Sequence, residues 1–161
     1  MKQIWSPWRM AYIEERNSEP GCLFCQLLSA APDPASLVLH HAPRAFVVLN
    51  RYPYTNGHLM VVPQAHVPSL EDLPDEVLAE VMVLTRRALQ ALRTAYGAAS
   101  FNVGVNIGAA AGAGIADHVH VHVVPRWPGD TNFMATTAAT RVIPEDLDRT
   151  YHRLEEAWRA G

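Results

Sequence analysis

Lysine is almost missing from this chain of 161 residues: Lys2 stands alone, and the other basic residues are arginines. Thirteen basic residues against 16 acidic ones leave a net charge of −3. A mildly acidic chain with no basic cluster lacks the electrostatic footprint of a nucleic-acid binder, so no nucleic-acid partner is expected. An anionic ligand would have to be held by local groups rather than by a general positive field. No apolar run approaches the ~18–20 residues that span a bilayer, so no membrane partner is expected either. The opening MKQIWSPWRM has no basic start followed by an apolar stretch, which argues against a cleaved secretory signal. Cysteine is scarce too. Two residues, Cys22 and Cys25, cannot make a disulfide framework, and without an export signal a reducing, cytoplasmic compartment is expected. Internal repeats and dividing linkers are absent, so a single domain over 1–161 is expected, with an N-terminal extension of about 20 residues.

What is present is a set of short β-branched runs around one long periodic segment. Residues 37–39, 45–49, 59–62, 101–107 and 119–124 read as strands bounded by turn residues. Asn56-Gly57 is a strong turn signal, because both residues tolerate positive φ. Between the third and fourth strands the period changes. Val77, Val81, Leu84, Ala88, Ala91 and Ala95 recur at steps of four and three, the spacing of one helix face over 75–96. A second, mostly polar helix is expected over 144–159. The pattern predicts an α+β fold: an antiparallel sheet of about five strands, one long helix and a C-terminal helix.

The chemistry concentrates in His118-Val119-His120-Val121-His122-Val123-Val124. Side chains of a strand alternate faces, so the three imidazoles share one face, about 6.6–6.8 Å apart, while the valines bury the other. Such a row suits a metal site, in which alternate histidines are ligands. It suits equally a catalytic site, in which one neutral ring attacks while its neighbours orient it and donate to developing charge. The bland alternative is three satisfied histidines on a half-exposed strand. Ahead of them runs a Gly/Ala segment from Asn106 through Gly112 and Gly114. Its backbone N–H groups suit an anion cradle, although such segments also serve as plain tight turns. Cys22-Leu23-Phe24-Cys25 has zinc-type spacing, against which stands the reading of two buried thiols.

The histidine row, the upstream Gly57-His58 and the intervening helix, in that order, resemble the histidine-triad superfamily of nucleotide hydrolases and transferases. The resemblance runs from about residue 5 to about residue 134. It implies that His120 is the nucleophile that forms a nucleotidyl-histidine at an adenylyl α-phosphorus. It implies further that His122 contacts the phosphate and assists the leaving group, that His58 orients the site, and that Asn50 contacts the ribose. Asn106, Gly112, Gly114, Arg126 and Trp127 are the remaining candidate nucleotide contacts, with Trp5 and Trp8 as candidate stacking residues. Zinc-containing members of the superfamily complete a pair such as Cys22 and Cys25 with histidines at the places of His66 and His118, which implies a closed structural zinc site. Magnesium would accompany a polyphosphate substrate. The family is usually dimeric, so a homodimer paired through the sheet edge and the long helix is expected.

The segment 125–134 and the N-terminal Trp5-Ser6-Pro7-Trp8-Arg9-Met10 resemble the bacterial diadenosine tetraphosphate phosphorylase branch. Two departures stand out: Gly114 falls where fragile-histidine-triad hydrolases carry glutamine, and Ala109 where the phosphorylase branch carries a basic residue. Diadenosine tetraphosphate cleavage by phosphate is the preferred activity. The alternatives are hydrolysis of a dinucleoside polyphosphate or an adenosine phosphoramidate, a nucleotide-sensing module without turnover, and a metal-dependent enzyme using the histidine row as ligands.

Overall fold

The computed structural model describes residues 21–130 and 144–161. The N-terminal extension with Trp5 and Trp8, and residues 131–134 of the phosphorylase-like segment, lie outside that range. Five strands form one antiparallel sheet in the order β1-β2-β3-β5-β4: β1 (Val38–His41), β2 (Ala45–Leu49), β3 (Leu59–Pro63), β4 (Ser100–Val105) and β5 (Val121–Arg126). A short helix α1 (Leu23–Leu27) precedes them, α2 (Asp75–Tyr96) connects β3 to β4, and α3 (Leu147–Ala160) closes the chain. The expected α+β architecture is what is found. No described helix is long and apolar enough to cross a membrane.

Register explains how the sheet presents its two faces. Met60 pairs with His122, and Val48 with Met60, so these share one face; Val61 pairs with Val121, and Leu59 with Val123, on the other. The aliphatic face carries α2, whose buried residues Val77, Val81, Leu84, Ala88, Ala91 and Leu92 follow the helical period. Gly97, with φ +61, ends that helix by donating its N–H to the Arg93 carbonyl. The opposite face is covered by α1, where Phe24 packs edge-on against Phe46.

Several element boundaries differ from expectation: β1 spans Val38–His41 rather than 37–39, and three further shifts have an evident local reason. The last strand was expected over 119–124 but spans Val121–Arg126, so His118 and His120 approach the ladder without belonging to it. The Val119 N–H donates to the Val67 carbonyl instead, and the Pro63 carbonyl at the end of β3 accepts from the His118 ring. β4 stops at Val105 rather than 107, leaving Ile107 exposed. The C-terminal helix begins at Leu147, because Asp146 caps it through a bond from the Arg149 N–H (2.8 Å). That leaves Glu145 outside the helix, where it accepts from the Tyr96 hydroxyl at 2.5 Å and the Thr150 hydroxyl at 3.0 Å. The C-terminal helix is mostly polar outside but buries Tyr151, Leu154 and Trp158, so it is amphipathic.

Candidate functional site

The loop from Asn50 to His58 and the start of β5 meet at the histidine row. Gly57 has φ +77, and a Cβ there would lie 2.8 Å from Leu92 and 3.1 Å from Tyr96, so only glycine lets the chain pass α2 and deliver His58. The Thr55 hydroxyl donates to the Pro125 carbonyl (3.0 Å) and ties this loop to β5. His58, His120 and His122 come together as a result: ring centroids are 5.1 Å apart for His58–His122 and 4.8 Å for His120–His122. His58 and His120 are buried, and His122 is half-buried.

Hydrogen-bond partners fix the tautomers. A carbonyl only accepts, so the 2.9 Å contact of His120 Nδ1 with its partner, the His118 carbonyl, puts the proton on Nδ1 and leaves a lone pair on Nε2. A backbone N–H only donates, so the 3.2 Å bond from the Tyr54 N–H makes His58 Nδ1 an acceptor. His58 therefore carries its proton on Nε2 and donates it to His122 Nδ1 at 3.0 Å. His122 is then left with Nε2–H. The row thus holds a lone pair on His120 and a donor on His122, side by side. Burial keeps these rings neutral: it lowers His120 despite the opposing bond to His118, and burial followed by the His120 neighbour pushes His122 down to about 4. A neutral nucleophile beside a neutral donor is the arrangement that two-step group transfer needs.

His118 faces away from this pair. Its Nε2–H donates to the Pro63 carbonyl at 2.8 Å, so Nδ1 carries a lone pair, and that nitrogen lies 3.3 Å from Cys22 Sγ and 3.7 Å from Cys25 Sγ. His66 Nδ1 lies 3.2 Å from Cys25 Sγ. All four ligand atoms fall within 4.8 Å of one another, the one such group among the described residues. Zn–S and Zn–N bonds of ordinary length imply tetrahedral edges of about 3.3–3.8 Å, so the contacts of 3.2, 3.3 and 3.7 Å suit a metal ion held by two sulfurs and two nitrogens, and the wider pairs, up to 4.8 Å, would close on it. The carbonyl that orients the His118 ring serves as the outer partner typical of a ligating histidine. Burial, then the adjacent Cys22, raises the Cys25 thiol; a cation between the sulfurs would relieve that.

The other expected contacts are placed less centrally. Asn50 lies beside His58, its Nδ2 3.3 Å from Nδ1. Residues 106–117 form the loop before the row; Gly108 and Gly112 take φ +80 and +86 around an exposed turn of Ala109–Ala111, and Asn106 and Gly114 are half-buried within it. Arg126 ends β5 and Trp127 follows it, six and seven residues or roughly 20 Å along the chain from His120. The Arg126 guanidinium donates to both carboxylate oxygens of Asp130 (2.5 and 2.9 Å) and to Asn102 Oδ1 (2.8 Å), and Trp127 meets Tyr96 edge-on. Two residues escaped the sequence reading. Phe24 packs 4.9 Å from the His120 ring and 5.4 Å from His118, and Tyr54 lies 4.5 Å from His58 and stacks on His122 at 6.0 Å. Phe24 stands inside the cysteine pair and Tyr54 inside the 50–58 stretch, so adjacency to a motif was the available signal. A cavity of about 350 Å³ opens beside Asn50 and His58, walled by Leu49, Leu147, Glu145, Asp146 and Thr150, and neither His120 nor His122 lines it.

Comparison with known proteins bears on this geometry. The HIT domain family model matches residues 32–129. An "AP-4-A phosphorylase" of Mycobacterium tuberculosis is 39% identical over 98% of this chain and 85% of its own length. "Adenylylsulfatase HINT3" of Arabidopsis thaliana is 32% identical over 71% of this chain and 56% of its own. A crystal structure of a Zn-bound histidine triad family protein from Mycobacterium smegmatis superposes with a TM-score of 0.70 at 29% identity, covering 87% of this chain and 94% of that one.

Proposed function

The chain belongs to the HIT domain family, and from that premise we propose that it cleaves diadenosine tetraphosphate through a His120-linked adenylyl intermediate, with inorganic phosphate as the acceptor. The carrying observation is the paired tautomers, a lone pair on His120 Nε2 beside Nε2–H of His122. His120 Nε2 attacks the α-phosphorus; the bond from phosphorus to the bridging oxygen breaks, and ATP leaves with a proton supplied by His122. Protonated phosphate then attacks the adenylyl-histidine and gives its proton back to His122 as the phosphorus–nitrogen bond breaks, releasing ADP and restoring both neutral rings. The mainly backbone-lined 106–117 loop, with Asn106, Gly112 and Gly114, would hold the phosphates. The 39%-identical phosphorylase supports this choice of substrate and acceptor.

One observation favours a second reading. The exposed Ala109–Ala111 turn has no basic side chain to attract a free phosphate ion. Water would then resolve the intermediate, giving AMP and ATP, or AMP and an amine from a phosphoramidate. Incubating the protein with diadenosine tetraphosphate, with and without phosphate, separates these: ADP with ATP only when phosphate is present marks the phosphorylase, and AMP with ATP in its absence marks the hydrolase. Tight binding without turnover marks a sensing module and sinks both.

The metal assignment belongs to the same reading. Cys22, Cys25, His66 and His118 would hold a structural zinc ion, which leaves His120 and His122 free for chemistry. The Zn-bound relative supports it, and elemental analysis of protein purified without chelator tests it. The two thiolate ligands suit a reducing, cytoplasmic compartment. Magnesium would come with the polyphosphate. We also read the protein as a homodimer, with 1–161 as one domain: edge strand β4 exposes Val103, and α2 exposes Met82 and Val83. Light scattering should return twice the 17.8 kDa chain mass.

A further inference from the structure

The side chain of Asn50 is oriented by its own partners. Its Oδ1 accepts the Tyr52 N–H at 2.9 Å, so the amide cannot be flipped, and Nδ2 must face His58 Nδ1 at 3.3 Å. His58 Nδ1 thereby receives two donors, the Asn50 amide and the Tyr54 N–H at 3.2 Å. His58 is 1% exposed, so no bulk water stands ready to replace a lost partner.

We propose that Asn50 is a positioning residue that acts through His58, holding it as the Nε2–H tautomer and so making His122 a proton donor. The logic is a chain of single choices. Two donors on His58 Nδ1 exclude a proton there. The proton on Nε2 then points at His122 Nδ1, 3.0 Å away, which must accept. His122 Nε2 is left protonated. Reverse the first choice and every later one reverses: His58 Nδ1–H would face two N–H groups, His58 Nε2 would accept from His122 Nδ1–H, and His122 would offer a lone pair to a developing negative oxygen. An amide two hydrogen bonds from His122 therefore joins the Tyr54 N–H in keeping that ring an acid rather than a second base. This goes beyond a ribose contact, which needs only the amide's remaining N–H and lone pair.

The proposal rests on the reading above for its kinetic consequences but not for the tautomers themselves, which can be observed without substrate. Nitrogen-15 spectra of ring-labelled histidine in the ligand-free protein should show His58 and His122 unprotonated at Nδ1 and protonated at Nε2, with His120 the reverse. Asn50→Asp replaces the donor with an acceptor and should move His58 and His122 toward Nδ1–H. Asn50→Ala keeps the Tyr54 N–H and should move them less. On diadenosine tetraphosphate, kcat should fall by about tenfold or more in Asn50→Asp and less in Asn50→Ala, with KM changed under about threefold, because a proton donor is lost rather than a binding contact. The same fall should persist on a substrate whose ribose hydroxyls have been removed. Unchanged tautomers in both variants, or a KM rise at constant kcat that vanishes on the hydroxyl-free substrate, would overturn the proposal. Absence of turnover in the parent protein would count against the proposed function while leaving the spectra to decide this one.

Discussion

His118 and His122 end the same alternating row, yet they are held by different means. His122 sits inside the β5 ladder, paired with Met60 on one side and Gly104 on the other, so the backbone sets its position. His118 lies before the ladder begins and is held by its ring: Nε2 on the Pro63 carbonyl, Nδ1 among the cysteine sulfurs. His120 stands between and borrows from both, its Nδ1 bound to the His118 carbonyl and its face against Phe24. A sheet can aim one ring; aiming the next beyond its edge takes side-chain contacts, and here the Cys22–Cys25–His66 cluster supplies them.

The comparison is tested most severely at its centre. Removing the shared ring with His120→Ala should lower turnover at least about a thousandfold, while the melting temperature stays within a few degrees, since both ends keep their own supports. Product analysis beside a melting curve checks this. Next, Cys22→Ser should loosen one end alone. A loss of about 3 kcal/mol, or a melting point lower by roughly 6–12 °C for a chain of this size, is expected. Hydrogen exchange should quicken at residues 117–120 and stay slow at 121–126; uniform quickening would erase the distinction between the two ends.

Acid should loosen the other end. The folded His122 titrates at about 4 against an ordinary 6.5, because burial and then the His120 ring disfavour its charge. The unfolded chain therefore binds the proton first as pH falls. This group's contribution to stability is complete above 6.5 and is lost on the way down to about 4, amounting to about 2 kcal/mol by pH 5. His122→Asn should flatten that slope in denaturant titrations. The smallest effect should come from Arg126→Ala at the far end of β5. Its pair with Asp130 is exposed, so stability should change by less than about 1 kcal/mol and turnover by less than about threefold.

Most of the scaffold was legible in the residues, because period alone separates α2 from the strands and Asn56-Gly57 marks the turn before His58. The missed boundaries depend on distant partners. The start of β5 moves because β3 ends at Pro63 and the Val119 N–H goes to Val67, contacts that no local pattern encodes. The four clustered Cys and His side chains were legible only as a set, through family resemblance; spacing pointed to Cys22 and Cys25, not to His66 and His118. The tautomers were illegible for a stricter reason. The His118 carbonyl and the Tyr54 N–H that set them are groups every residue carries, and the Asn50 amide that joins the Tyr54 N–H shows in the sequence as a residue but not as a partner of His58.

The clearance beside Gly57 has a practical corollary for anyone screening random variants of this protein. Any side chain there must displace Leu92, a fully buried residue of the long helix, in addition to adopting an unfavourable backbone angle. Inactive clones carrying changes at 57 and at 120 would score alike in a growth or colour selection. The first would be lowered in stability with its His58 loop displaced and the second unable to react, and a thermal-shift assay would sort one from the other.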